Sequence, residues 1–295
     1  MSRIFKKHFL SIIFSGLLFF SCKTTSTIEK AISEPAEPKT SFIVAHDIIF
    51  PELEGSYKYI FFRLYNPSYK NPFYIANLLK GGISSTTLED TPNVSHAAIN
   101  FSLDDNYFGL TLGGEYQLAQ ENCSTPQDNK YMKNCDPEKS EQITYALKVT
   151  EEEYQKTKEF VENYSRDKNL KYASTLNFKI SLFSIKRKFF TPPDKQKFGT
   201  VIYPEAENKK YDPEDENSDT NFVCSTFIGY VLYNNIEDIT KYFDDRNIKY
   251  EYLCVADISM IPGMTPLFYS NWDNYESAAR AFVEEYPEFK QYLNN

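Results

Sequence analysis

The chain has 295 residues, a formal net charge of −9, 41% hydrophobic residues and 16% aromatic residues. This composition excludes global disorder, because it supplies enough apolar side chains for the core of one large domain or two small ones. The acidic balance argues against a nucleic-acid partner, which requires a basic face to neutralise phosphates. Only three histidines are present, so few residues could serve a histidine-dependent mechanism.

The N-terminus has the layout of an export signal. Basic residues between positions 3 and 7 precede an apolar run, residues 9–20, and Cys22 follows directly after Ser21. This pattern is typical of a signal peptide and resembles a bacterial lipobox, so we expect residues 1–21 to be removed and Cys22 to be acylated. An ordinary secreted protein and an uncleaved signal anchor are the alternatives. The expected location is the bacterial cell envelope, with a membrane lipid anchor and the domain facing the periplasm or the exterior.

Removal of the signal changes two properties of the chain. The mature charge becomes −12, because three basic residues leave, and the remaining histidines are His46 and His96. Residues 22–40 are polar and contain proline, which predicts a flexible tether. Residues 41–295 are predicted to form one α+β domain.

The first half of the domain is predicted to form strands. Residues 41–50 and 57–65 are rich in β-branched and aromatic side chains. Residues 94–103 alternate, so that His96 shares one side of a strand with small or polar residues while apolar residues occupy the other side. Turn residues 104–106 and a second run, residues 107–112, predict a hairpin.

The central region begins with a helix signal. Thr150 is followed three residues later by Glu153, the signature of a capping box. Residues 177–190 are predicted to form one or two strands, with Lys186-Arg187-Lys188 as a solvated strand end. Residues 204–219 are rich in acidic side chains and predict a surface loop.

The last third is predicted to be mainly helical. Residues 222–233 are apolar nearly all round, which indicates a short buried helix, with a buried strand as the alternative. Gly229 in this helix would let a strand pack closely against it. Residues 236–247 and 275–293 are amphipathic helix candidates, with a strand predicted at residues 248–255 between them.

Several functional motifs are missing from the sequence. It contains no phosphate-binding P-loop, no G-x-G-x-x-G, no H-E-x-x-H, no C-x-x-C and no G-x-S-x-G. No cofactor is therefore expected. His46, His96 and the cysteines lack the spacing of a zinc site, and His46 lies in an apolar run that favours a structural role or the rim of a site.

Cys224 is the candidate nucleophile. If Asn221 is the N-cap, Cys224 occupies the third position of the predicted helix, where free N–H groups and the helix dipole favour a thiolate and can hold an oxyanion. His96 is the candidate general base, and we expect the two to act together. With a two-residue turn at Asp105-Asn106, Glu115 lies opposite His96 and is the candidate for orienting the imidazole. The alternatives on the same side of that strand are Thr111, Gln117 and, further along, Glu121.

Structural roles for the cysteines compete with catalysis. Four cysteines follow Cys22, and an exported set of four permits three disulfide pairings. Cys123 and Cys135 would bridge one loop, whereas a bond between Cys224 and Cys254 would abolish the nucleophile. Cys224 could equally be a small buried apolar residue.

Two motifs carry a family resemblance. S-H-A-A-I-N-F at residues 95–101, followed more than a hundred residues later by F-V-C-S-T-F-I-G-Y at residues 222–230, resembles the permuted papain-like superfamily. That group includes relatives of NlpC-type cell-wall hydrolases and the lecithin–retinol acyltransferases, and it places the histidine strand before the cysteine helix.

The resemblance implies both a fold and an activity. The fold would be an antiparallel sheet packed against a central helix that bears the cysteine. The activity would be that of a thiol hydrolase or acyltransferase that forms an acyl-enzyme on Cys224, with a peptidoglycan peptide or an acylated lipid as substrate. The alternative is a non-enzymatic surface lipoprotein that uses the same scaffold for binding.

Overall fold

The computed structural model describes residues 42–45, 48–68, 94–110, 117–121, 135–212 and 220–293. The predictions for residues 1–21 and 22–40, and those for Cys22, His46, Glu115 and Cys123, lie outside these ranges. The described strands are β1 (Ile43–Val44), β2 (Tyr57–Asn66), β3 (His96–Asn100), β4 (Tyr107–Leu110), β5 (Leu118–Glu121), β6 (Glu141–Thr150), β7 (Lys171–Tyr172), β8 (Asn221–Phe222) and β9 (Thr265–Asn271). The described helices are α1 (Glu151–Ser165), α2 (Ser174–Phe190), α3 (Cys224–Asn235), α4 (Glu237–Asp245), α5 (Val255–Ile258) and α6 (Tyr275–Glu285).

The fold is mixed α+β, with most strands in one antiparallel sheet. Seven strands pair in the order β1–β9–β6–β2–β3–β4–β5, all antiparallel, while β7 and β8 form a separate parallel pair. The long strands β2 and β6 pair along ten residues and form the centre of the sheet.

Helices cover both faces of the sheet. On one face, alternate residues such as Leu64, Ala97 and Ile99 pack with helices α1 to α5 in the larger apolar core. On the other face, the intervening residues such as Phe61 and Ala98 pack with α6 and the 3₁₀ helix that follows it. We call these the α3 face and the α6 face. Alternate burial follows from the two-residue period of a strand.

The predicted hairpin forms with a different register. Strand β3 lies at the centre of the first predicted run, and β4 begins at the first residue of the second. Ala98 pairs with Gly109, whereas a two-residue turn at Asp105-Asn106 would pair it with Gly113. Residues 101–105 form a bend instead, because the Asn100 amide donates to the backbone and side-chain oxygens of Asp104 and holds the chain in a wider loop. Of the described part of the strand predicted at residues 41–50, which is residues 42–45 and 48–50, only Ile43–Val44 pairs with a neighbouring strand.

The N-terminus of α1 confirms the predicted capping box. The Thr150 hydroxyl accepts a hydrogen bond from the Glu153 N–H at 3.2 Å, and the Glu153 carboxylate accepts one from the Thr150 N–H at 3.1 Å. Both amides would otherwise lack partners in the first helical turn.

Residues 177–190 form a helix, so the strand prediction for this region is wrong. Ile180, Phe183, Ser184 and Arg187 are buried, and their spacing of three and four residues is that of one helix face. The prediction failed because aromatic residues also occupy the exposed side of α2, which hides this period. Arg187, expected in a solvated run, is buried.

The strand predicted at residues 248–255 is also absent. Residues Tyr250–Tyr252 form a 3₁₀ turn, and the chain enters α5 at Val255. This segment packs against Gly229 of α3 so closely that a Cβ there would lie 2.6 Å from Leu253 Cδ1 and 3.0 Å from Tyr250 Cβ. The predicted close approach at Gly229 is therefore present, although its neighbour is not a strand.

The remaining secondary-structure predictions agree with the structure in outline. Residues 222–233 lie mostly within the buried helix α3, residues 236–247 contain α4, and residues 275–293 contain α6 and a 3₁₀ helix that begins at Pro287. Residues 204–212, the described part of the acidic stretch, contain no helix or strand. Within the described ranges, we find no helix with the length and apolarity needed to cross a membrane.

Candidate functional site

His96 begins β3 and lies on the α6 face of the sheet. It pairs with Tyr65 of β2, and the two rings contact each other edge-on with their centroids 4.8 Å apart. The Tyr65 ring in turn lies 5.3 Å from that of Trp272, and both belong to a small buried cluster with Cys135. The imidazole is therefore held against aromatic rings at the end of the sheet.

Cys224 lies on the α3 face. The N-cap of α3 is Val223 and not Asn221, which belongs to β8, so Cys224 is the first helical residue instead of the third. The first backbone hydrogen bond of the helix is donated by Phe227 to Val223 at 2.9 Å. The thiol is thus at the positive end of the helix, as predicted, but only 5% of Cys224 is exposed.

The structure does not bring His96 and Cys224 together. Ser95, the residue before His96, lines the cavity beside Cys224, whereas His96 projects to the opposite face of the sheet. Between these two described residues there is no hydrogen bond. The predicted alternation along β3 is observed, but α3 packs on the apolar side of the strand, against Ala97 and Ile99, and not on the polar side where His96 lies.

The cavity beside Cys224 is small and lined by polar groups. Its volume is about 40 Å³, which is room for one or two water molecules. The polar residues of its wall include Ser95, Tyr172, Asn177, Ser181, Ser184, Ser225 and Cys254. The Ser225 hydroxyl donates to the Leu253 carbonyl at 2.7 Å, which brings the segment that carries Cys254 to the start of α3. Cys224 and Cys254 are both free thiols.

Cys254 belongs to a buried polar cluster that sequence reasoning missed. Asp257 accepts a hydrogen bond from the Cys254 N–H at 3.0 Å and forms an ion pair with Arg187 at 2.9 Å. Arg187 also donates to the Cys254 sulfur at 3.5 Å. Burial, followed by the Asp257 charge, raises the pKa of the Cys254 thiol to about 12. Cys254 is therefore a neutral thiol at neutral pH and a poor nucleophile.

A larger cleft lies on the other side of the first turn of α3. Its volume is about 360 Å³, and the walls come from the first two turns of α2, the first turn of α3, β8, and the 3₁₀ turn Tyr250–Tyr252. The apolar part of the wall includes Phe222, Leu176 and Tyr250. We call this the Lys179 cleft.

Lys179 and Glu251 supply the charges of the Lys179 cleft. Their side chains form an ion pair at 2.8 Å and are 41% and 31% exposed. Burial acts to lower the pKa of Lys179, but the hydrogen bonds to Glu251 and Tyr252 outweigh it, so the pKa is raised and Lys179 is charged. The Lys179 ammonium also lies 4.3 Å from the centre of the Tyr252 ring. The sequence offered no signal for this cleft, since its residues come from three separate segments, residues 173–179, 221–226 and 250–251.

Neither a search for metal ligands nor a comparison with known proteins assigns a function to the chain. Of the described residues, no group of three or more His, Cys, Asp or Glu side chains could hold a metal ion. Comparison with known proteins finds no matching family model, no similar curated protein and no similar solved structure.

Proposed function

We propose that this protein is a lipid-anchored envelope protein that binds a short peptide on a permuted papain-like scaffold, without using Cys224 as a nucleophile. The order of a histidine strand, β3, before a cysteine helix, α3, that packs on the same sheet supports the finer fold assignment. The expected acylation of Cys22 supports the location. The function is argued from the difference between the two cavities.

The main support for the proposal is the difference in volume between the cavity beside Cys224 and the Lys179 cleft. A nucleophile must come within roughly 3–3.5 Å of the carbonyl that it attacks, and the cavity of about 40 Å³ beside Cys224 has no room for an acyl group and its flanking residues. The Lys179 cleft, at about 360 Å³, is within the range of small-ligand sites.

The charges of the Lys179 cleft indicate the class of ligand. A ligand that carries both a carboxylate and an ammonium group can exchange the Lys179–Glu251 ion pair for two pairs with itself, with its carboxylate on Lys179 and its ammonium on Glu251. The apolar wall can hold a small side chain. Peptidoglycan stem peptides are envelope molecules with this chemistry, and they belong to the class that the sequence suggested as a partner.

Calorimetric titration with the dipeptide D-Ala-D-Ala tests the proposal. The matched ligand is the same dipeptide with an acetylated amine and an amidated carboxyl, which removes both charges. We expect the free dipeptide to bind and the blocked one not to. Lys179→Met should weaken binding about tenfold, the effect of about 1.4 kcal/mol, whereas Lys139→Met, in an exposed ion pair with Asp136, should leave it unchanged.

A thiol hydrolase or acyltransferase remains the competing function, because Cys224 opens a helix. It predicts that Cys224→Ala abolishes turnover of a peptide or an acylated lipid, followed by mass spectrometry, and that iodoacetamide labels Cys224 in the native protein. Our proposal predicts slow labelling, no turnover, and unchanged dipeptide binding by Cys224→Ala. Turnover that depends on Cys224 would refute the binding function.

A further inference from the structure

We propose that the outward side of α2 docks on an anionic membrane surface. This outer side is defined by four exposed apolar residues, Phe178, Leu182, Phe189 and Phe190. The inference does not depend on ligand binding in the Lys179 cleft, because it uses the side of the helix that faces away from the core, but it rests on the lipid-anchored location proposed above.

The outer side of α2 is apolar although it faces solvent. Phe178 is 58% exposed, Leu182 42%, Phe189 49% and Phe190 78%. The first three follow helical spacing, so they form one stripe along a helix about 25 Å long. A surface helix normally places charged and polar residues there, and a continuous exposed apolar stripe indicates an interaction surface.

The charge of α2 indicates what kind of surface its outer side binds. The helix contains no acidic residue, and its Lys186 and Lys188 flank the apolar stripe, in a chain whose net charge is −9. Exposed Lys195 and Lys197 follow in the next turn. Arg187 is turned inward to Asp257 and does not contribute. Aromatic side chains with lysines beside them are the combination that binds the interface of an anionic bilayer.

The predicted N-terminal anchor places a membrane within reach of this helix. A flexible linker with as many residues as the predicted tether has an r.m.s. end-to-end distance of about 25 Å, comparable to the radius of gyration of a domain of about 250 residues. A protein-borne contact with the bilayer would add to the attachment that the lipid on Cys22 provides and would set the orientation of the domain. We therefore infer a lipid surface, and not a second protein, as the occupant.

Vesicle co-sedimentation tests this inference. The chain from residue 22, with Cys22→Ser so that no acyl chain anchors it, is mixed with vesicles of phosphatidylcholine alone or of phosphatidylcholine with phosphatidylglycerol. We expect binding to the anionic vesicles only, weakened by added salt. The triple variant F178S/L182S/F189S should lose at least tenfold in affinity, whereas I49S/I202S, which changes exposed apolar residues on other segments, should bind like the parent chain.

A second pair of variants tests how much the lysines of α2 contribute to vesicle binding. K186E/K188E should weaken binding by about fivefold for each lysine, given the usual contribution of a basic residue at an anionic surface. K241E/K290E changes exposed lysines elsewhere and should have little effect. Thermal unfolding checks that each variant is folded, since exposed substitutions should change stability little.

Two results would overturn the inference. In one, the triple variant binds anionic vesicles as tightly as the parent chain. In the other, the parent chain does not bind vesicles but forms a dimer in sedimentation equilibrium that the triple variant loses, which would assign the surface to a second copy of the chain.

Discussion

The two faces of the seven-stranded sheet each bury one arginine–aspartate ion pair, and the surroundings of the two pairs differ. On the α6 face, Arg63 lies 2.7 Å from Asp105, and its guanidinium carbon is 4.4 Å from the centre of the Tyr107 ring. The rings of Tyr65 and Tyr275 lie at 5.6 and 5.7 Å. Aromatic rings therefore surround this arginine and favour its charge.

On the α3 face, Arg187 depends on a single carboxylate. Asp257 lies 2.9 Å away, the Cys254 sulfur lies at 3.5 Å and the Phe183 ring at 6.0 Å. Burial raises the pKa of the Tyr203 hydroxyl, which is close enough to Arg187 that the guanidinium charge acts to lower it. The same carboxylate also caps the turn at Cys254. Asp257 thus links α2, the Cys254 segment and α5, and Asp105 links β2 to the bend at residues 101–105. The comparison shows that two buried ion pairs of similar length can differ in the groups that surround the arginine.

The largest expected effect comes from removing one charge of each pair. Asp257→Asn should lower the free energy of unfolding by about 3–5 kcal/mol, because Arg187 is then buried without a counter-charge. Asp105→Asn should cost about 1–2 kcal/mol less, since the tyrosine rings continue to favour the Arg63 charge. Urea denaturation measures both. An equal or larger loss for Asp105→Asn would show that the rings contribute nothing.

A smaller effect is expected at Gly229, where α3 meets the Cys254 segment. Helix propensity alone predicts that Gly229→Ala stabilises the protein by about 1 kcal/mol. The contact of its Cβ with Leu253, at 2.6 Å, predicts instead a loss of about 1–3 kcal/mol. The sign of the change in urea midpoint decides between the two. Ala279→Gly in α6 is the opposite exchange on the other face. It should destabilise the protein, because glycine has a lower helix propensity than alanine and because a buried methyl group is lost.

The pH dependence of stability should also separate the two faces. Burial raises the pKa of Cys254 from 9.0 to about 12, so the folded state retains this proton where the unfolded state loses it. The stabilisation that the Cys254 thiol provides is complete below pH 9. It is lost as the pH rises towards 12, by about 1.4 kcal/mol for each pH unit. On the α6 face, burial raises the pKa of Tyr107 and of Tyr275 above 10.0, so their contribution declines only at higher pH.

Denaturation curves at a series of pH values between 8 and 11 would follow this loss. Cys254→Ala should delay the onset of the decline from about pH 9 to about pH 10, where tyrosines of the unfolded chain begin to titrate. An unchanged onset in this variant would mean that the thiol is not buried in the folded protein.

The smallest expected effect concerns the helix caps of the two faces. Thr150→Ala removes the capping box of α1 on the α3 face and should cost about 1 kcal/mol. Asn274→Ala at the start of α6 should cost less, because the Asn274 side chain accepts from the Asn271 N–H before the helix and not from a helical amide. Thermal unfolding of both variants measures the difference. A larger loss at Asn274 would contradict this view of the two caps.

Local patterns in the sequence predicted the elements whose signals are themselves local. The Thr150–Glu153 box, the alternation along β3 and the apolar composition of α3 depend on residues only a few positions apart, so they can be read without the fold. The same reading failed for α2, because apolar residues on both sides of that helix obscure its period.

By itself, the sequence determined that β3 has one apolar and one polar side, that α3 begins near Cys224, and that the predicted export signal leaves two histidines. Only the tertiary structure decided that α3 covers the apolar side of β3. That choice separates His96 from Cys224 and places Ser95 beside the thiol instead. The physical reason is that residue spacing sets which side chains share a face, whereas the element that buries this face is selected by packing across the whole core.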